Sequence, residues 1–218
     1  KIKNQEGAQR ADFFTNTVLS AILIFSTIVI IIVLSFTEPI IKMFASGFTG
    51  QTLENAIFFS RICIFSLYLS AILYVFSSYL QANDIFSVVS FVAVPNSIMI
   101  MVAIILGAKW NIIALPVGSL LAVLLQVIIL WPTMKTRGYR LRINWKFKDE
   151  YIKEICILMI PVTIGVSINQ INVLVDRTIA SRVAVGGISA LTYADSLIMF
   201  VQGIFSQSIA TVYYPSIA

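Results

Sequence analysis

Three charged side chains fall within long, largely apolar stretches near the end of the chain: Asp176 and Arg177 in SINQINVLVDRTIA, and Asp195 in GISALTYADSLIMF. An ionisable group at the middle of a bilayer costs at least ~2.5 kcal/mol on the most lenient scale, so it normally faces a bundle interior or a water-filled cavity. The polar residues around these charges are phased. At 100° per residue, Asn169, Gln170, Asn172, Asp176 and Arg177 occupy a little under half of a helix circumference, opposite Ile168, Ile171, Leu174 and Val175. In the next stretch Ser189, Thr192, Asp195, Ser196, Gln202, Ser206 and Gln207 share one side, with Gly203 and Ala210 among them. Two wet faces can line a path for a polar substrate, and Arg177, Asp176, Asp195, Asn169, Asn172, Ser196 and Gln202 are the candidate cavity-lining residues. Two placements of Arg177 fit the sequence. It lies roughly 33 Å beyond Ile155 along a straight helix, where it either snorkels to the surface or shares a cavity with Asp195 across the Val185-Gly186-Gly187 turn.

The same residues argue against catalysis. The chain has no histidine, which removes the commonest metal ligand, the commonest general base and the Ser-His and Cys-His nucleophile pairs. Asp176 and Asp195 are too separated in sequence to suggest a metal cluster. Cys63 and Cys156 stand far apart in apolar runs and read as two buried thiols rather than a disulfide framework. No enzyme activity, metal or cofactor is expected.

Helices must carry these faces. Of the 218 residues 59% are hydrophobic and 11% charged, against ~45–50% and ~25% in a soluble domain, so too few charges exist to cover a soluble exterior. The charges cluster and leave charge-free stretches at Phe13–Thr37, Ile62–Asn83, Ile85–Ala108, Trp110–Met134 and Ile155–Val175. Each reaches the roughly 20 residues that cross a bilayer core as a helix. A sixth, Ile188–Ala218, is interrupted only by Asp195. The run ILIFSTIVIIIVLSF is apolar on every side, unlike the alternating strands of a membrane barrel, and only helical hydrogen bonding satisfies such a backbone in lipid. The expected fold is an all-α polytopic membrane helix bundle with six transmembrane helices.

Six spans put both ends of this stretch on one face of the membrane. That face collects Lys1, Lys3 and Arg10 with Lys135, Arg137, Arg140, Arg142, Lys146, Lys148 and Lys153; the opposite face has Lys42, Arg61, Lys109, Arg177 and Arg182. By the positive-inside rule the first face is cytoplasmic. The net charge of +5 is therefore explained by helix flanks and attraction to anionic membrane lipids, and no nucleic acid partner is expected. Residues 132–154 form the boundary between four spans (1–131) and two (155–218). Trp131, Tyr139, Trp145 and Tyr151 are interface aromatics, and DEYIKEI reads as a short interfacial helix leading into the fifth span. The segment near 38–56 is too hydrophobic for a solvated loop, and an interfacial helix ending at Gly47 fits it. Pro95, Pro116 and Pro161 fall within spans, where a proline removes a helical hydrogen bond and kinks the axis. Starting at Lys1 with no signal-peptide pattern, the sequence reads as an internal fragment whose partners include further helices of the same chain.

The stretch NQINVLVDRTIASRVAVGGISALTYADSLIMFVQGIFSQSIATVYYPSIA resembles the lipid II flippases, the MurJ/MviN family within the multidrug, oligosaccharidyl-lipid and polysaccharide exporter superfamily. The resemblance rests on DR-x-x-AS (Asp176, Arg177, Ala180, Ser181), on G-x-I-S-A-L-x-Y-A-D (Gly186 to Asp195), on Gly203 to Phe205 and on Pro215-Ser216. Upstream, Gly47-Phe48, RICIF, YLQANDIF and PNSIMI are similar to that family's third to fifth helices. The resemblance implies that these spans are the third to eighth of a fourteen-helix, two-lobe transporter, joined by the basic linker. It implies transport of an undecaprenyl-pyrophosphate-linked disaccharide pentapeptide across the bacterial cytoplasmic membrane by alternating access, for use in peptidoglycan and cell wall synthesis. In this family cationic side chains of a central cavity receive the pyrophosphate, a task suited to the planar arginine fork. Several of those arginines lie in helices preceding this stretch. Many members have arginine directly after the aspartate of Y-A-D, where this sequence has Ser196, so the role passes to Arg177 or is lost, and Asp195 is left to bind a coupling cation or hold an arginine from another helix.

The reading that follows is a non-enzymatic flippase for an anionic lipid-linked cell-wall precursor. Other readings are a second kind of exporter from the superfamily, moving a polysaccharide lipid or a cationic drug, a membrane enzyme acting on a polyprenyl phosphate, and a non-transporting cell-wall scaffold.

Overall fold

The computed structural model describes residues 7–142, 150–183 and 186–217. Among them every regular element is an α-helix: α1 (Ala8–Ser35), α2 (Thr37–Phe44), α3 (Gly50–Cys63), α4 (Ser66–Gln81), α5 (Ser87–Phe91), α6 (Ala93–Lys109), α7 (Ala114–Thr136), α8 (Glu150–Val183) and α9 (Gly187–Ile217). Five paths are long and apolar enough to cross a membrane: Arg10–Ser35, Gly50–Gln81, Ser87–Lys109, Ala114–Thr136 and Tyr151–Val183. They overlap the first five expected spans, but the second begins at Gly50 rather than Ile62, so α3 takes up the end of the 38–56 segment expected to be interfacial. The expected sixth corresponds to α9, a helix of 31 residues.

The hydroxyls inside α1 are satisfied along the helix itself. Thr15, Thr17, Ser20 and Thr27 each donate to the carbonyl four residues earlier, at 2.8–2.9 Å. Such back-bonding lets hydroxyl residues occupy a span where water is missing. The second path is not one smooth helix. Between α3 and α4 the amides of Phe65 and Leu67 donate to carbonyls three residues back, and the Ser66 hydroxyl donates to Cys63 O at 2.6 Å, so the backbone tightens locally without losing its partners.

Two of the three prolines expected to kink spans sit at helix starts instead. Pro95 occupies the first turn of α6 and Pro116 the first turn of α7, where the missing N–H has no helical acceptor in any case. A proline ring also clashes with the carbonyl four residues earlier. For Pro95 that residue is Phe91, where α5 ends, so Pro95 splits the third span by starting a new helix. Pro132 and Pro161 lie inside α7 and α8. The interfacial helix expected to end at Gly47 is present as α2 but stops at Phe44, and DEYIKEI forms no separate helix in its described part, since Glu150 already begins α8. Neither cysteine is buried: Cys63 is half-buried and Cys156 exposed, both as free thiols.

By contact the chain forms two compact units. The first contains residues 1–38 and 54–163, the second 39–53 and 164–218. In the first unit α7 packs on α6 and α4, and α4 packs on α1. Lipid is as apolar as the side chains, so these pairs are held by close packing rather than by the hydrophobic effect. Gly118 of α7 faces Ala103 of α6 so closely that a Cβ there would collide with the alanine methyl. Phe76, Leu80, Leu130 and Met134 complete the packed centre.

Helix α7 ends in a way that places the next residues. Gly138, at φ 81, takes the left-handed conformation open to glycine; its N–H donates to Lys135 O, and the Tyr139 N–H reaches back to Met134 O. This is a Schellman cap, and it folds Tyr139 back onto the helix bundle.

Candidate functional site

Two polar constructions stand out, one in each unit. In the second unit, α8 carries Asn169, Asn172, Asp176 and Arg177, and α9 carries Asp195, Ser196 and Gln202. All seven side chains are exposed on the described surface. On α8 the spacing of three, then four residues aligns Asn169, Asn172 and Asp176 in one stripe, with Arg177 about 100° away around the axis. Arg177 lies about 9 Å before the end of α8, and Asp195 about 12 Å into α9. Among the described residues no hydrogen bond or ion pair joins Arg177 to Asp195. The Ser196 hydroxyl donates to Thr192 O at 2.8 Å, leaving only its lone pairs for a ligand. Among the described residues no group of three or more His, Cys, Asp or Glu is placed to hold a metal ion.

On the same last turns of α8 a second set of contacts forms, which the sequence did not reveal. The connection after α2 rests there: Thr178 Oγ1, whose proton is shared with Leu174 O at 2.8 Å, donates to Phe44 O at 3.0 Å, Gly47 N–H to Ser181 Oγ at 3.2 Å, and Arg182 Nε to Ser46 Oγ at 2.7 Å. Ser181 in turn donates to Thr178 O at 2.7 Å. A Cβ on Gly47 would collide with the carbonyl oxygen of Ser181, so the glycine is required by proximity. Two motifs read separately, Gly47-Phe48 and the DR-x-x-AS element, are thus parts of one contact. The signal that could have paired them is parity: in the expected order of spans the far ends of the first and the fifth fall on one face.

In the first unit a buried asparagine organises the start of the basic connection. Asn16, 4% exposed, accepts from the Tyr139 hydroxyl at 2.7 Å and from the Arg142 N–H at 3.1 Å, and its Nδ2 donates to Arg140 O at 2.8 Å. Beside it the Tyr79 hydroxyl donates to Asp12 Oδ1 at 2.7 Å, and the rings of Tyr79 and Tyr139 approach to 4.9 Å between centroids. Burial, then the Asp12 carboxylate, then Tyr79 push the Tyr139 phenol well above its usual range. Trp131 stacks on Phe76 with centroids 5.7 Å apart and receives the Lys135 ammonium at 5.3 Å, the aromatic-plus-lysine arrangement of a headgroup layer. An asparagine within an apolar run was the available clue to this cluster; its partners, some 120 residues later, were not legible.

The family model described as "Lipid II flippase MurJ" matches residues 1–218. Similar curated proteins include "Probable lipid II flippase MurJ" of Haemophilus influenzae, 40% identical over 136 residues, covering 61% of this chain and 27% of that protein. "Lipid II flippase MurJ" of Burkholderia cenocepacia is 23% identical over 228 residues, covering 100% of this chain and 44% of its own length. A solved structure described as "Lipid II flippase MurJ, inward closed conformation" superposes with a TM-score of 0.79 at 23% identity, covering 97% of this chain and 44% of that one. The chain thus spans less than half the length of these relatives.

Proposed function

The chain belongs to the lipid II flippase MurJ family, and from that membership we propose that it is part of a transporter for an undecaprenyl-pyrophosphate-linked peptidoglycan precursor. The observation that carries this reading is the family match over every residue from 1 to 218. The transporter works by alternating access in the bacterial cytoplasmic membrane and catalyses no covalent step. Its partners are the lipid-linked anionic precursor, membrane lipids and further helices of the same chain. The ends of this stretch, with their basic residues, lie in the cytoplasm. Residues 1–131 belong to one lobe and 155–218 to the next, with 132–154 as the cytoplasmic linker.

In this reading the Asn169-Asn172-Asp176 stripe, with Asp195, Ser196 and Gln202 of α9, lines the substrate path, and Arg177 offers its guanidinium to the pyrophosphate. A planar fork binds two phosphate oxygens at once where an ammonium gives a point charge. The test is transport by the full-length protein in vesicles. Arg177→Ala should lower transport of a pyrophosphate-linked lipid by about tenfold or more, with Arg177→Lys between it and the parent, as expected for a charge-assisted bond of ~1.5–3 kcal/mol. Transport of a neutral polyprenyl lipid by the parent as fast as the pyrophosphate-linked one, with neither slowed by Arg177→Ala, would place the substrate outside the anionic class. Product formation dependent on a divalent metal would instead make the protein an enzyme.

A further inference from the structure

We propose that Phe44–Gly47 is a detachable polar latch on the last turns of α8, holding the Asp176-Arg177 turn in one rotational setting and releasing it during each transport cycle. The inference rests on the flippase reading for its role in transport, but the latch itself stands on contacts within the second unit.

The geometry points to positioning. Thr178, Ser181 and Arg182, the three residues that grip the connection, fall within about 100° of one another around α8. The Asn169-Asn172-Asp176 stripe lies roughly 150° from the centre of that grip. Seating the latch on one side therefore aims the polar stripe to the other, and Arg177, about 40° from Ser181, flanks the grip. A free helix end has no such rotational reference.

The chemistry points to release. All three hydrogen bonds are exposed, so water competes for each partner and the contact separates without leaving a buried group unpaired. Phe44 stays exposed, and within the connection Ala45 is buried and Phe48 half-buried, so few apolar groups oppose its separation. The fit is set by the absence of a side chain at Gly47, whose approach to the Ser181 carbonyl is closer than any Cβ permits. A contact made by complementary shape and weak polar bonds specifies one position yet opens at small cost.

The test uses the full-length protein with its other cysteines replaced, carrying Ser46→Cys and Arg182→Cys, in membranes. A short reducible bis-thiosulfonate reagent should bridge the pair. Adding Gly47→Ala, which cannot seat against Ser181, should lower the bridging yield about tenfold, whereas Gly165→Ala, at a glycine with open space around it, should not. Bridging should arrest transport of the pyrophosphate-linked lipid, and reduction should restore it. Bridging yields unaffected by Gly47→Ala, or undiminished transport by the bridged protein, would overturn the latch. If the unbridged parent transports no lipid, the flippase reading fails, while the latch is still judged by the yields with and without Gly47→Ala.

Discussion

At the scale of single residues, buried polar groups in this protein act through what they hold. Asn16 uses both ends of its amide to fix Tyr139, Arg140 and Arg142, and an unsatisfied buried partner costs ~1–3 kcal/mol. Asn16→Ala is therefore expected to lower the thermal midpoint of the full-length protein by several degrees and to expose the Arg140 and Arg142 peptide bonds to limited trypsin digestion. Tyr139 supplies a pH-dependent check. Its folded-state pKa is raised by burial and by Asp12, so its contribution to stability is present below the ordinary tyrosine pKa of about 10 and is lost as pH rises through the higher folded value. In an ultraviolet titration of the folded protein from about pH 9 to 11, Tyr139→Phe should leave the phenolate signal of the parent unchanged. A smaller signal in the variant would mean that Tyr139 ionises normally. None of these partnerships was legible in the sequence, because Asn16 and Tyr139 meet only after four spans have folded back to the starting face.

Among the elements, the positions of glycine and proline matter more than their presence. Pro95 and Pro116 read as kinks in sequence but sit in first turns, because a proline inside a span can begin a helix as readily as bend one. Gly118 sets the approach of α7 to α6, so Gly118→Leu should overpack that pair, cost about 1–3 kcal/mol and speed hydrogen exchange in both helices. Gly138 has another task, reversing the chain after α7 at φ 81. Gly138→Ala should cost about 1–2 kcal/mol and weaken protection of Tyr139, as read by exchange of its N–H with solvent. The expected helix faces of α8 and α9 followed from 3.6-residue periodicity, which needs no knowledge of the fold.

For the whole molecule, charge placement predicts orientation: in intact cells an impermeant maleimide should label Ser46→Cys from outside and leave Arg140→Cys untouched until the membrane is opened, and the reverse pattern would invert the topology. The sequence by itself determined the all-helical membrane fold and the apolar spans, because lipid allows few backbone solutions and polar residues in it are costly wherever they occur. The family resemblance was likewise carried by short local motifs, from Gly47-Phe48 to the Y-A-D element. Tertiary structure alone decided which distant residues meet: Gly47 with Ser181, Ser46 with Arg182, and Asn16 with Tyr139. These contacts depend on the rotation and depth at which helices pack, and both are set by side-chain fit across spans that no local period encodes.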